Sequence, residues 1–185
     1  MANKDPLSNP STAPSKRRGF KSRGFWFWVI LALLIVVADQ YSKNWFDSHL
    51  FYGERWAVLP FFDFTLLYNP GAAFSFLAGA DGWQRWFFSG IALIATVLIV
   101  YWLQRQPYQR LFCAALSCIL GGALGNVLDR IVHGHVIDFI LFHWQSWHFP
   151  AFNVADIAIT IGAALLIIEE FLRIRRTKNS RTPRQ

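Results

Sequence analysis

Cysteine is scarce in this chain of 185 residues: there are two, Cys113 and Cys118, both inside one apolar run. That excludes a disulfide-stapled scaffold or a cysteine zinc cluster and leaves two small side chains suited to packing. No H-E-x-x-H pattern occurs, and the "HGH" pair, His133 and His135, has no set metal geometry. With His143 and His148, these rings read as loop or interfacial residues, so no metal and no cofactor is expected. No internal repeat is present, which disfavours the repeated halves common among membrane carriers. No small-x-small cleavage site follows the first apolar run, where "DQYSK" stands instead, so that run is not read as a removable leader.

What is abundant is apolar surface. The chain is 54% hydrophobic and 17% aromatic, with a mean hydropathy of +0.29. Soluble domains lie nearer 45–50% apolar, roughly, and disperse those residues at helix or strand period. Here they are massed into four uncharged runs, residues 25–38, 86–103, 111–128 and 157–168. With polar flanks the first extends to Phe46 and the last to Ile174. Each then approaches the roughly 20 helical residues that cross a hydrocarbon core about 30 Å thick. The expected fold class is an all-α integral membrane protein of four transmembrane helices.

A formal charge of +7 raises nucleic acid as a partner, but its placement argues against it. Fourteen of the 18 Lys and Arg residues lie before the first helix, in "QRQPYQR" between helices two and three, or after helix four. The other two connections hold only Lys43, Arg55, Arg85 and Arg130. The positive-inside rule places both termini and the middle loop in the cytoplasm, with loops 47–85 and 129–152 on the outer face. Residues 1–23 and 176–185 read as disordered basic cytoplasmic tails around one membrane domain, 24–175. On the outer face, "WAVLPFFDFTLLYN" is dense in β-formers and predicts a small β-rich element, which "NPGAAF" ends. "FHWQSWHFPAF" predicts an amphipathic loop whose rings suit the headgroup layer.

Several polar residues converge near that outer boundary. Asp39 lies roughly 21 Å of helix from the cytoplasmic edge, and Asp156 about 25 Å from Arg173. Asp129 closes helix three. Asp39 and Lys43 are four apart; Asn126, Asp129 and Arg130 are three and four apart; Asn153 and Asp156 are three apart, so each group can share a helix face. Asp39 with Lys43, and the Asn126 group, can be read as structural networks or as parts of a site. Asp138, in "HVIDFI", and Asp156, heading an apolar run, are poorly explained as solvated carboxylates. Two carboxylates brought together cannot both ionise cheaply, so they share a proton. The ionised one can deprotonate water while the other protonates a carbonyl, which is peptide hydrolysis without metal. A proton-coupled transporter using such carboxylates stays open on this reading.

Five ordered blocks resemble a known family: "DQYSK", "NPGAAF", "GGALGNVLDR", "VIDF" and "FNVADIA". Across about residues 25–174 the chain resembles the bacterial lipoprotein signal peptidases, or signal peptidase II. The resemblance implies an aspartic endopeptidase that cuts prolipoprotein signal peptides before a diacylglyceryl-modified cysteine. It places the catalytic pair at Asp138 and Asp156. Asn153 and Asn126 would support the pair, Asn69 would bind substrate backbone, and Arg130 would position substrate or lipid. Asp39, Lys43 and Asp129 would be structural polar supports, and Gly121, Gly122 and Gly125 would permit close helix approach. The implied setting is the bacterial inner (plasma) membrane, with the site near the periplasmic face. Implied partners are lipid-modified precursors, membrane lipids and globomycin-type peptide inhibitors.

Overall fold

A computed structural model describes residues 22–71 and 82–181. The chain before residue 22, the end of the "NPGAAF" block and the last four residues lie outside the described residues. The elements run α1 (Arg23–His49), β1 (Arg55–Leu59), β2 (Phe62–Asn69), α2 (Gln84–Arg105), α3 (Arg110–Val132), β3 (Val136–Trp144), β4 (Trp147–His148) and α4 (Val154–Arg181). Three helices, α1, α2 and α3, are long and apolar enough to cross a membrane. The expected fourth span, α4, has the length at 28 residues. Its apolar stretch, however, is bounded by Asp156 at one end and by Glu169, Glu170 and Arg173 at the other.

α4 also continues as helix through Arg181, where the sequence reading begins a disordered tail at 176. Lys and Arg are good helix formers, and cations in the last turns complement the negative end of the helix dipole. A Glu170–Arg173 ion pair at 2.8 Å spans the point where the apolar stretch ends.

α3 is the central helix and contacts all three others. Its small residues make that possible. A Cβ on Gly122 would collide with the Ala155 carbonyl oxygen and lie 2.7 Å from Ile159 Cγ1 on α4. One on Gly125 would strike the Asp39 carboxylate of α1. At the opposite end Phe25, Trp28, Ile99, Leu103 and Leu116 form an apolar cluster joining α1, α2 and α3. Trp28 Nε1 donates there to the Pro107 carbonyl at 2.9 Å.

The strands form one antiparallel sheet in the order β1-β2-β3-β4. The expected β-rich element in the first loop is β1 and β2. The sequence reading leaves residues 136–141 as plain outer loop and begins the amphipathic loop at 142, and the structure makes Val136–Trp144 strand β3. Its residues Val136 to Phe139 are all buried, so the run shows no in-out alternation, as a strand covered on both faces should. Pairing with β2 sets Leu67 opposite Asp138 and Asn69 opposite Val136. Phe46 at the end of α1 stacks on Phe139 with centroids 4.3 Å apart, tying helix to sheet. Phe152 then bridges to Ile140 through two hydrogen bonds, 2.9 and 3.0 Å, which brings the start of α4 beside β3.

Candidate active site

Asp138 projects from β3 and is only 3% exposed. Two amides hold it: Asn69 Nδ2 donates to Oδ2 at 3.1 Å and Asn153 Nδ2 to Oδ1 at 2.7 Å. Asn69, expected in a loop, is the last residue of β2, and its Oδ1 accepts the Gly71 N–H at 3.0 Å. Asn153 precedes α4 and caps it, its Oδ1 accepting the Asp156 N–H at 3.0 Å. Asp156 lies in the first turn and accepts from Asn126 Nδ2 of α3 at 2.8 Å. One side chain, Asn153, thus binds Asp138 through its nitrogen and the backbone of Asp156 through its oxygen.

Both carboxylates line a single cavity of about 570 Å³, with Asn69, Asn126, Arg130 and Thr160 as its other polar walls. Phe149, Phe152, Ile157 and Ile161 supply apolar walls. Burial pushes the Asp138 carboxyl up to about 7, and the neighbouring charge of Asp156 pushes the same way; the Asn69 and Asn153 donors oppose both. Proximity and burial therefore keep a proton on the pair near neutral pH.

Arg130 reaches from α3 to the Gly71 carbonyl at 2.9 Å and to the Asn126 carbonyl at 3.2 Å. Its guanidinium lies 5.3 Å from the centre of the Phe88 ring. Lys43, 1% exposed, is 2.8 Å from both Asp39 and Asp129, and donates to Asn126 Oδ1 at 2.9 Å. Asp39 in turn accepts the Ala155 N–H at 2.8 Å, and Asp129 the Ile137 N–H at 3.2 Å. The structure thus gathers Asp39, Lys43, Asn69, Gly122, Asn126, Asp129, Arg130, Asp138, Asn153 and Asp156 around one region.

Sequence reasoning missed Gln40, whose Nε2 donates to Asp129 Oδ1 at 2.7 Å and to the Gly125 carbonyl at 3.2 Å. Its place inside "DQYSK" was the available signal, but its partners lie on another helix. The histidines sit elsewhere. His143 pairs with Asp63 at 3.2 Å, and His148 contacts Arg55 at 3.1 Å, on β1 to β4. Among the described residues, no group of three or more His, Cys, Asp or Glu side chains is arranged to hold a metal ion.

With this geometry in place, the relatives are informative. Residues 31–172 match the family described as signal peptidase (SPase) II. A lipoprotein signal peptidase of Cupriavidus necator is 56% identical over 149 residues, covering 80% of this chain and 85% of the relative. One from Ralstonia nicotianae is 50% identical over 173 residues, covering 92% of this chain and all of the relative. A bacterial membrane enzyme solved by the in meso method at 2.3 Å superposes with a TM-score of 0.73 at 29% identity, covering 91% of this chain and 97% of that one.

Proposed function

The chain belongs to the signal peptidase II family, and we propose that the cavity between Asp138 and Asp156 is where it cuts. The activity is that of a protease removing signal peptides from prolipoproteins. The observation that carries the site is the Asn153 bridge, which fixes two buried carboxylates from separate elements at one cavity. In this reading the ionised aspartate takes a proton from water, and the resulting hydroxide attacks the scissile carbonyl. The protonated aspartate donates to the carbonyl oxygen as the tetrahedral intermediate forms. On collapse that hydroxyl returns its proton, and the proton taken from water passes to the leaving nitrogen as the C–N bond breaks. The bond cut is the one before the diacylglyceryl-modified cysteine.

Asn69, Asn126 and Asn153 hold the aspartates, while Arg130 adds a cation to the cavity wall and pulls in the Gly71 backbone. Ile157 and Ile161, 38% and 49% exposed, give the cavity an apolar side suited to the substrate's lipid. α4 is the fourth membrane span, with the acidic pair at the outer rim and both termini in the cytoplasm of the bacterial inner membrane. The clustering of Lys and Arg on the other side supports that orientation. Globomycin-type peptides would occupy the same cavity.

The test is cleavage of a purified diacylglyceryl-modified precursor in detergent, with the unmodified precursor as control. The expected product begins at the modified cysteine, and only the modified precursor is cut. A precursor left intact while proton-linked flux appears in vesicles would favour a transporter instead. Abolition by strong chelators would point to metal chemistry.

A further inference from the structure

Three asparagine amides face the aspartate pair, and an amide can present either end unless something holds it. The two ends have opposite hydrogen-bonding sense, since Oδ1 accepts and the NH2 group donates. In each case Oδ1 is held by a group that can only donate. The Gly71 N–H holds Asn69 at 3.0 Å, the Asp156 N–H holds Asn153 at 3.0 Å, and Lys43 Nζ holds Asn126 at 2.9 Å, with a longer bond to Asn126 from Asn153 Nδ2 at 3.3 Å. Each amide thereby turns its NH2 group to a carboxylate: Asn69 and Asn153 to Asp138, Asn126 to Asp156. Two of these anchors are backbone. The third is a side chain 83 residues away on another helix.

We infer that Lys43 is a positioning residue of the catalytic pair: by donating to Asn126 Oδ1, it fixes that amide with its NH2 group toward Asp156. This rests on the reading of Asp138 and Asp156 as the reacting groups, and it goes beyond a supporting role for Lys43 in packing. Lys43 does not line the cavity and is 1% exposed, so it acts through Asn126 and not on substrate. Its charge also reaches Asp156, although Asp39 and Asp129 flank it at 2.8 Å on either side, so orientation has to be separated from charge. The other charged groups facing Asp156 are Arg130 of α3 and Asp138 of β3, which a change at Lys43 leaves in place. What Lys43 imposes is direction. An NH2 group facing Asp156 favours its anion, the form that accepts a proton from water; a turned amide would set Oδ1 against it and favour the acid. On this assignment Asp156 is the base and Asp138 the acid.

The experiment is the pH dependence of kcat/KM for the diacylglyceryl-modified precursor. Lys43→Met removes the shorter of the two hydrogen bonds to Asn126 Oδ1 and leaves only the longer one from Asn153 Nδ2 at 3.3 Å, so the acidic limb should move up by about one pH unit. kcat should fall with KM little changed. The double variant Lys43→Met with Asp39→Asn removes one positive and one negative charge, and the amide oxygen introduced in place of the Asp39 carboxylate can still accept the Ala155 N–H. It should show the same displacement, and it decides the matter if the single variant does not fold. An unmoved limb in the double variant overturns the inference, whether or not Lys43→Met alone moves it. Asp156→Asn in the same assay separates the two levels. Near-normal turnover by Asp156→Asn removes the reading of the pair, whereas an Asp156→Asn lowered roughly a thousand-fold or more beside unmoved Lys43 variants removes only the role of Lys43.

Discussion

Asp39 of α1 accepts a hydrogen bond from the backbone N–H of Ala155, 116 residues later in the first turn of α4, at 2.8 Å. The first N–H groups of a helix have no partner within it and carry its positive dipole end, so a carboxylate there both satisfies a donor and meets a favourable potential. The next residue is Asp156. A carboxylate buried in one apolar helix therefore fixes where the head of another begins, and with it one side of the cavity. The consequences can be measured.

Asp138→Asn and Asp156→Asn each keep the side-chain shape but can no longer supply the shared proton chemistry. Cleavage of the lipid-modified precursor should fall roughly a thousand-fold or more in either variant, with the protein still extracted folded from membranes. Near-normal turnover by either would sink the assignment.

Stability should depend on pH through Asp138. Its carboxyl is at about 7 when folded, against an ordinary value of 3.8. Between those values the folded state holds a proton that the unfolded chain releases. The contribution is therefore full below 3.8 and lost as pH rises through about 7. Asp138→Asn escapes that loss, which is of the order of 4 kcal/mol. The variant should gain melting temperature over the parent at pH 8 and much less at pH 5, as read by thermal unfolding in detergent. An identical gap at both pH values would contradict the burial argument. If Asp138 is also the acid, cleavage should decline above about 7.

Gly122→Ala should force α3 and α4 apart, because its Cβ meets the Ala155 backbone and Ile159. Overpacking of this kind costs about 1–3 kcal/mol, and it displaces Asp156, so both melting temperature and cleavage should drop. Gly90→Ala on α2, with nothing within 4 Å, should be neutral or slightly stabilising. Equal effects at the two glycines would show that the close contact is not what matters.

Asp129→Ala should be a stability variant first. It strips Lys43 of one partner and leaves the Ile137 N–H and the Gln40 amide short of an acceptor. Breaking a buried pair in this way costs about 3–5 kcal/mol. Yield and melting temperature should fall further than the activity of the molecules that remain folded. The reverse pattern would move Asp129 into the chemistry.

Much of this is legible in the chain. Massed apolar runs announce helices that need a non-aqueous setting, and the i,i+4 spacing of Asp39 and Lys43 announces their contact, which the structure places at 2.8 Å. The isolated carboxylates Asp138 and Asp156 stand out because an unpaired charge in an apolar run is costly. Strand β3 is not legible: its start, Val136 to Phe139, is buried on both faces and has no period, so nothing local marks it as strand. The helical continuation from 176 to 181 escapes notice for another reason, since a cationic run reads as solvated tail whether or not the helix before it extends.

Which segments are apolar, where the cations lie and which polar residues stand out against them can be read along the chain, because each is a property of neighbours in sequence. That Asn153 joins Asp138 to Asp156, that Gln40 reaches Asp129 and that Lys43 donates to Asn126 emerges only on folding. Those contacts link positions far apart in sequence, and hydrogen-bond direction depends on which donor arrives. No local pattern records that arrival; the packing of α1, α3, β3 and α4 does.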